Sequence, residues 1–122
     1  MIPPTSTALA QADRHLAMAE RFARIGSWTL DLRRPQPIAG SAEFAALLGL
    51  APQASLTLGE LAGRFAPDCR DRADGLLLQC CRQGIGFDEE LQLDTPSGRQ
   101  RVRLACQAVL NRRGQVTGLQ GL

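Results

Sequence analysis

Apolar positions fall first at helical spacing. From Ala8 to Ile25 there is no Gly or Pro, and the run is rich in Ala, Leu, Glu and Arg. Leu9, Ala12, Leu16, Ala19 and Ala23 recur every three or four residues. Met18, Phe22 and Ile25 form a second stripe beside them. This spacing predicts an amphipathic helix over residues 8–25. Glu20 and Arg24 are placed for an i,i+4 ion pair, and Gly26 is the expected stop. Residues 1–7, rich in Pro, Thr and Ser, read as a disordered lead-in.

The pattern then switches to alternation. Trp28, Leu30 and Leu32 point one way and Thr29 and Asp31 the other, which predicts a half-buried strand. Two prolines, Pro35 and Pro37, make the next strand near Ile38 short and an edge. Three helical segments follow. Ser41 is placed to cap the first, which ends at Gly49. Thr57-Leu58-Gly59-Glu60 has the spacing of a capping box for the second. The third is expected to start with Asp68 as its cap and to stop at Gly84. Ala73, Leu76, Leu77, Cys80 and Cys81 form its inner side, and Gly75 suggests close packing. Phe87 to Leu93, Val102 to Leu110 and Val116 to Leu122 alternate again. Turns at Thr95-Pro96-Ser97-Gly98 and Asn111-Arg112-Arg113-Gly114 separate them. Without alternating β-α-β units the class is α+β: one five-stranded antiparallel sheet, short helices on one face and an N-terminal flanking helix. Its expected core is Trp28, Leu30, Phe44, Leu48, Phe65, Leu77, Leu91, Leu104 and Cys106.

Composition removes several classes of function. A chain of 122 residues is one domain. Its net charge of +2 is no basic field for nucleic acid, although every one of its basic residues is Arg. No apolar run reaches the ~20 residues of a membrane helix, so no membrane insertion is expected. The N-terminus does not read as a signal peptide. Cys69, Cys80, Cys81 and Cys106 lack metal-site spacing, and His15 is the single His. Free thiols fit a cytoplasmic protein. One His also argues against a hydrolytic triad.

An ordered set of segments resembles PAS sensor domains. Ile25-Gly26-Ser27-Trp28-Thr29-Leu30-Asp31-Leu32 resembles their opening strand. Phe44 with Leu47-Leu48-Gly49-Leu50 is similar to their first short helix. Pro67-Asp68-Cys69-Arg70-Asp71-Arg72 is similar to the start of their long helix. Phe87 to Leu93, Pro96-Ser97-Gly98 and Asn111 to Gly118 look like their terminal hairpins. Leu30, Ala66, Ser97 and Val102 depart from the residues relatives often carry there. The resemblance places a PAS domain at 26–122. It implies a non-enzymatic sensory module of a histidine kinase or diguanylate cyclase type protein. Such a module binds a small ligand in its core, or pairs with another PAS domain, and relays to a C-terminal effector. The sequence ends just before the segment that usually joins such an effector.

The expected ligand pocket is Leu30, Phe44, Leu48, Phe65, Leu77, Glu89, Leu91, Leu104 and Cys106. Glu89 falls on the apolar face of its strand, where an unpaired carboxylate is costly. Either it answers a polar ligand or it reaches water. Cys69 lies in Asp68-Cys69-Arg70, but only Cys-Arg survives of the motif of flavin-photoadduct relatives. His15 lies outside the core. No cofactor is therefore expected, and haem and flavin are disfavoured. Arg99, Arg101 and Arg103 alternate on the outer sheet face, as a phosphate stripe or a solvated surface. The helix stripe Leu9, Ala12, Leu16, Ala19 and Ala23 is the expected homodimer interface. Two other readings compete with ligand sensing: a ligand-free PAS dimerisation and relay element, and an unrelated small enzyme or nucleic-acid binder.

Overall fold

The structure, a computed structural model, describes residues 4–51 and 55–122, without the side chains of residues 4–10 and 13. Helix α1 runs from Pro4 to Ala23. It begins inside the segment expected to be loose, with Pro4 in the first turn, where a missing N–H is harmless. It also ends before Gly26. Arg24 takes the left-handed conformation at φ 57°, and the Ile25 N–H donates to the Glu20 carbonyl at 2.9 Å. Gly26 serves packing instead: a Cβ there would lie 2.3 Å from Phe44 Cα. The expected Glu20–Arg24 pair is replaced by a contact with the link that follows the helix. Glu20 is buried and accepts a hydrogen bond from Ser27 Oγ at 2.7 Å.

Strands β1 (Trp28–Asp31) and β2 (Ala39–Gly40) lead into α2 (Ala42–Leu48), α3 (Leu58–Gly63) and α4 (Pro67–Gln83). Local chemistry fixes the helix ends. Ser41 Oγ accepts from the Phe44 N–H at 3.2 Å, and Gly49 closes α2 in the left-handed conformation. Thr57 and Glu60 form the reciprocal capping box of α3. Helix α4 departs from expectation at its start: Ala66 is the cap residue and Pro67 opens the helix. Gly75 is exposed, with nothing within 4 Å of a Cβ, so it marks no close packing.

Strands β3 (Phe87–Thr95), β4 (Gly98–Leu110) and β5 (Val116–Gly121) complete the chain. The five strands form one antiparallel sheet in the order β2-β1-β5-β4-β3. Register places Leu91 opposite Val102, Glu89 opposite Leu104, Phe87 opposite Cys106 and Trp28 opposite Gly121. These side chains share the face that carries the helices. Trp28, Leu48, Phe65, Leu77, Leu91, Leu104 and Cys106 are buried there, with Leu30 and Phe44 half-buried against them. Helix α1 contacts α2 and leaves its second stripe uncovered, with Met18, Phe22 and Ile25 exposed.

Candidate functional site

The site lies along β4, past its pairing with β5. β5 pairs with β4 only from Cys106 to Leu110, and Leu122 then exchanges both backbone hydrogen bonds with Ala105, at 3.2 and 3.0 Å. Alternation along a strand aims the N–H and C=O of Arg103 and Arg101 the same way as those of Ala105. Among the described residues no strand covers that side of β4 from Gly98 to Leu104.

A cleft of about 740 Å³ lies along this open edge. Phe44 and Leu48 of α2, Leu61 of α3 and Phe65 form its helix side. Val102 and Leu104 form its sheet side, and the Arg24–Gly26 link also lines it. The missing Cβ of Gly26 lets that link lie against α2. Trp28 lines the cleft too, 6.4 Å from Phe44 between ring centroids. Its indole is 2% exposed, and Nε1 has no hydrogen-bond partner among the described residues. A buried unanswered donor costs about 1–3 kcal/mol.

Of the residues expected to line a pocket, Phe44, Leu48, Phe65 and Leu104 come together here. Leu30, Leu77, Glu89, Leu91 and Cys106 do not. Leu77, Leu91 and Cys106 are packed into the core. Cys80 Sγ and Cys106 Sγ lie 3.7 Å apart, and burial pushes both thiols up from their ordinary value. Glu89 has a protein partner. The Arg72 guanidinium of α4 donates to its Oε2 at 2.6 and 3.1 Å, and that hydrogen bond raises the Arg72 pKa.

The cleft also takes in residues not foreseen, among them Arg24 to Gly26 and Gln100 to Arg103, because packing between segments distant in sequence brings them there, which no local pattern records. On the outer face Arg103 pairs with Asp88 and holds its carboxyl below the usual range, while Arg99 pairs with Asp94. Arg101 forms no ion pair among the described residues. Cys69, at the start of α4, and the exposed His15 do not line the cleft. Among the described residues no cluster of three His, Cys, Asp or Glu side chains could hold a metal ion. No helix there is long and apolar enough to cross a membrane. On α1, Ala12, Leu16, Ala19 and Ala23 are exposed, and the Leu9 side chain lies outside the described residues.

No protein-family model matches the sequence, and no curated protein does. Solved structures do. An RNA-binding light-oxygen-voltage receptor is 26% identical, with a TM-score of 0.67 over 79% of this chain and 27% of the receptor. The N-terminal domain of a diguanylate cyclase with a PAS/PAC sensor, from Marinobacter aquaeolei, is 16% identical. Its TM-score is 0.69 over 79% of this chain and 89% of that domain. A sensory box histidine kinase/response regulator from Burkholderia thailandensis is 21% identical, with a TM-score of 0.65 over 87% of this chain and 79% of the other.

Proposed function

We propose that this chain, which has the fold of PAS domains, is a sensory module of a multidomain signalling protein. It takes a small ligand in the cleft between the sheet and α2 and α3, and relays occupancy to an effector of histidine kinase or diguanylate cyclase type. The cleft carries this reading, because it is apolar and has the volume of a ligand site. The module works in the cytoplasm, where its four cysteines stay free, and as a homodimer through α1. We assign it no catalytic residue. Mass spectrometry of the natively purified protein tests the reading. A retained small molecule of fixed mass is the expected result, and a bare chain overturns it.

A ligand-free relay element is the second reading. It is favoured by the close packing of Leu77, Leu91, Cys80 and Cys106, which fill the space under α4 themselves. A flavin is the competing occupant, since neighbours include light-oxygen-voltage domains. Colourless pure protein is the expected outcome, and visible absorbance overturns it.

A further inference from the structure

Three segments pair an exposed aliphatic residue with arginines. Leu32-Arg33-Arg34 leaves β1, Arg82-Gln83-Gly84-Ile85 leaves α4, and Leu110-Asn111-Arg112-Arg113 leaves β4. The fold brings them to one end of the sheet. The Leu32 N–H donates to the Thr117 carbonyl at 3.0 Å, and Leu110 pairs with Val116. A Cβ at Gly84 would lie 3.4 Å from Val116 Cγ2 and 3.6 Å from Leu110 Cδ2. Leu32, Ile85 and Leu110 are exposed there. So are Arg34, Arg82, Arg112 and Arg113, which form no ion pair among the described residues. Asp31, the carboxylate beside Leu32, is already held by Arg33 at 3.1 Å. The chain enters β1 and leaves β5 at the opposite end, where Trp28 pairs with Gly121. The patch is therefore built wholly from internal segments, and it shares no residue with the cleft. Exposed aliphatic side chains among unpaired cations fit a partner that is anionic at its face and apolar beneath. Nucleic acid fits less well, since these segments carry no aromatic ring on which a base could stack. A second copy fits worst, because the arginines of the two copies would face one another.

We propose that this end of the sheet is a docking surface for an anionic lipid bilayer. Arg34, Arg82, Arg112 and Arg113 meet the phosphates and carboxylates of the headgroups. Leu32, Ile85 and Leu110 enter the boundary between headgroups and acyl chains. The chain lies on the membrane and does not span it.

Co-sedimentation of the 122-residue protein with vesicles tests this. Phosphatidylcholine vesicles containing about one third phosphatidylserine should bind it about tenfold or more tightly than phosphatidylcholine alone. Added salt should weaken that binding. The double variant Arg112→Glu/Arg113→Glu should remove the preference. Arg34→Glu/Arg82→Glu, on the other two segments, should do the same, so the outcome does not hang on one hairpin folding. Leu110→Gln should weaken vesicle binding about fivefold and leave binding of single-stranded oligouridine as it was. Circular dichroism should be equal in parent and variants, since every changed side chain is exposed. Equal binding to the two vesicles, binding to neither, or a preference that survives both charge reversals overturns the lipid surface. Vesicle binding unmoved by Leu110→Gln overturns the entry of the aliphatic side chains. Oligouridine binding that Arg112→Glu/Arg113→Glu abolishes, with no vesicle binding, overturns the lipid assignment and gives the patch to nucleic acid.

Discussion

The Arg72 guanidinium grips the Glu89 carboxylate from α4, with Nη2 to Oε2 at 2.6 Å, and ties the long helix to edge strand β3. Strand parity alone puts Glu89 on the helix-facing side, where an unpaired charge is costly. The structure answers it from the protein. Both side chains keep contact with water, at 31% and 60% of their accessible surface, so the pair is screened and its net worth is small. Glu89→Gln should therefore lower the melting temperature by no more than a few degrees. It should also leave occupancy of the cleft unchanged, since Glu89 does not line it. Thermal melts and native mass spectra of the variant check both; loss of a retained ligand would return Glu89 to the site.

Gly121 faces the Trp28 indole so closely that a Cβ would fall 2.3 Å from Cε2. The ring is buried and rigid, so it cannot swing away cheaply. Gly121→Ala should cost about 1–3 kcal/mol, the usual range for overpacking. Urea unfolding reads the loss. Because Trp28 is the single tryptophan, its emission should also move toward the red as the ring is displaced. An unchanged midpoint and spectrum would mean that the contact is loose.

These two contacts show where sequence reasoning reaches and where it stops. Alternation gave the correct facing of Trp28, Glu89, Leu91, Leu104 and Cys106, because a strand side chain has only two directions. Caps at Ser41, Thr57 and Gly49 were legible because their chemistry is local. The end of α1 was not. Arg24 adopts a left-handed conformation that glycine would normally take, while Gly26 is reserved for contact with Phe44. Four of the expected pocket residues meet in the cleft. Leu77, Leu91 and Cys106 belong to the core because α4 lies flat on the sheet there. The rest of the cleft depends on which distant segments are brought beside β4, a long-range relation that no short window of sequence contains.

Cys80, Cys81 and Cys106 have thiols pushed above their ordinary value near 9, chiefly by burial. In the unfolded chain the same thiols ionise near 9. Below that pH both states hold the protons and stability is unaffected. Above it the unfolded state loses protons that the folded state keeps, so stability falls as pH rises. The urea midpoint should be level from pH 7 to about 8.5 and decline by pH 10. Cys106→Ala should make that decline shallower, although it lowers the midpoint overall by opening space in the core. An equal decline in parent and variant would remove Cys106 from the effect.

The last expectation concerns α1 as a pairing surface. Leu16 is 59% exposed and Phe22 82% exposed, far more apolar surface than a solvent-facing helix needs. The stripe with Leu16 also carries Ala12, Ala19 and Ala23, whose small side chains let two helices approach closely. A twofold pair through that stripe would bury Leu16 against its symmetry mate. The other stripe, with Met18 and Phe22, is rotated around the helix from it. Sedimentation should give a dimer for the parent and a monomer for Leu16→Glu, with Phe22→Glu remaining a dimer. Helix content by circular dichroism should be equal in all three, since both positions lie on the surface. A folded monomer of this length has a radius of gyration of about 14 Å. Scattering that stays at that size at high concentration would refute pairing, and a Leu16→Glu dimer together with a Phe22→Glu monomer would move the seam to the second stripe.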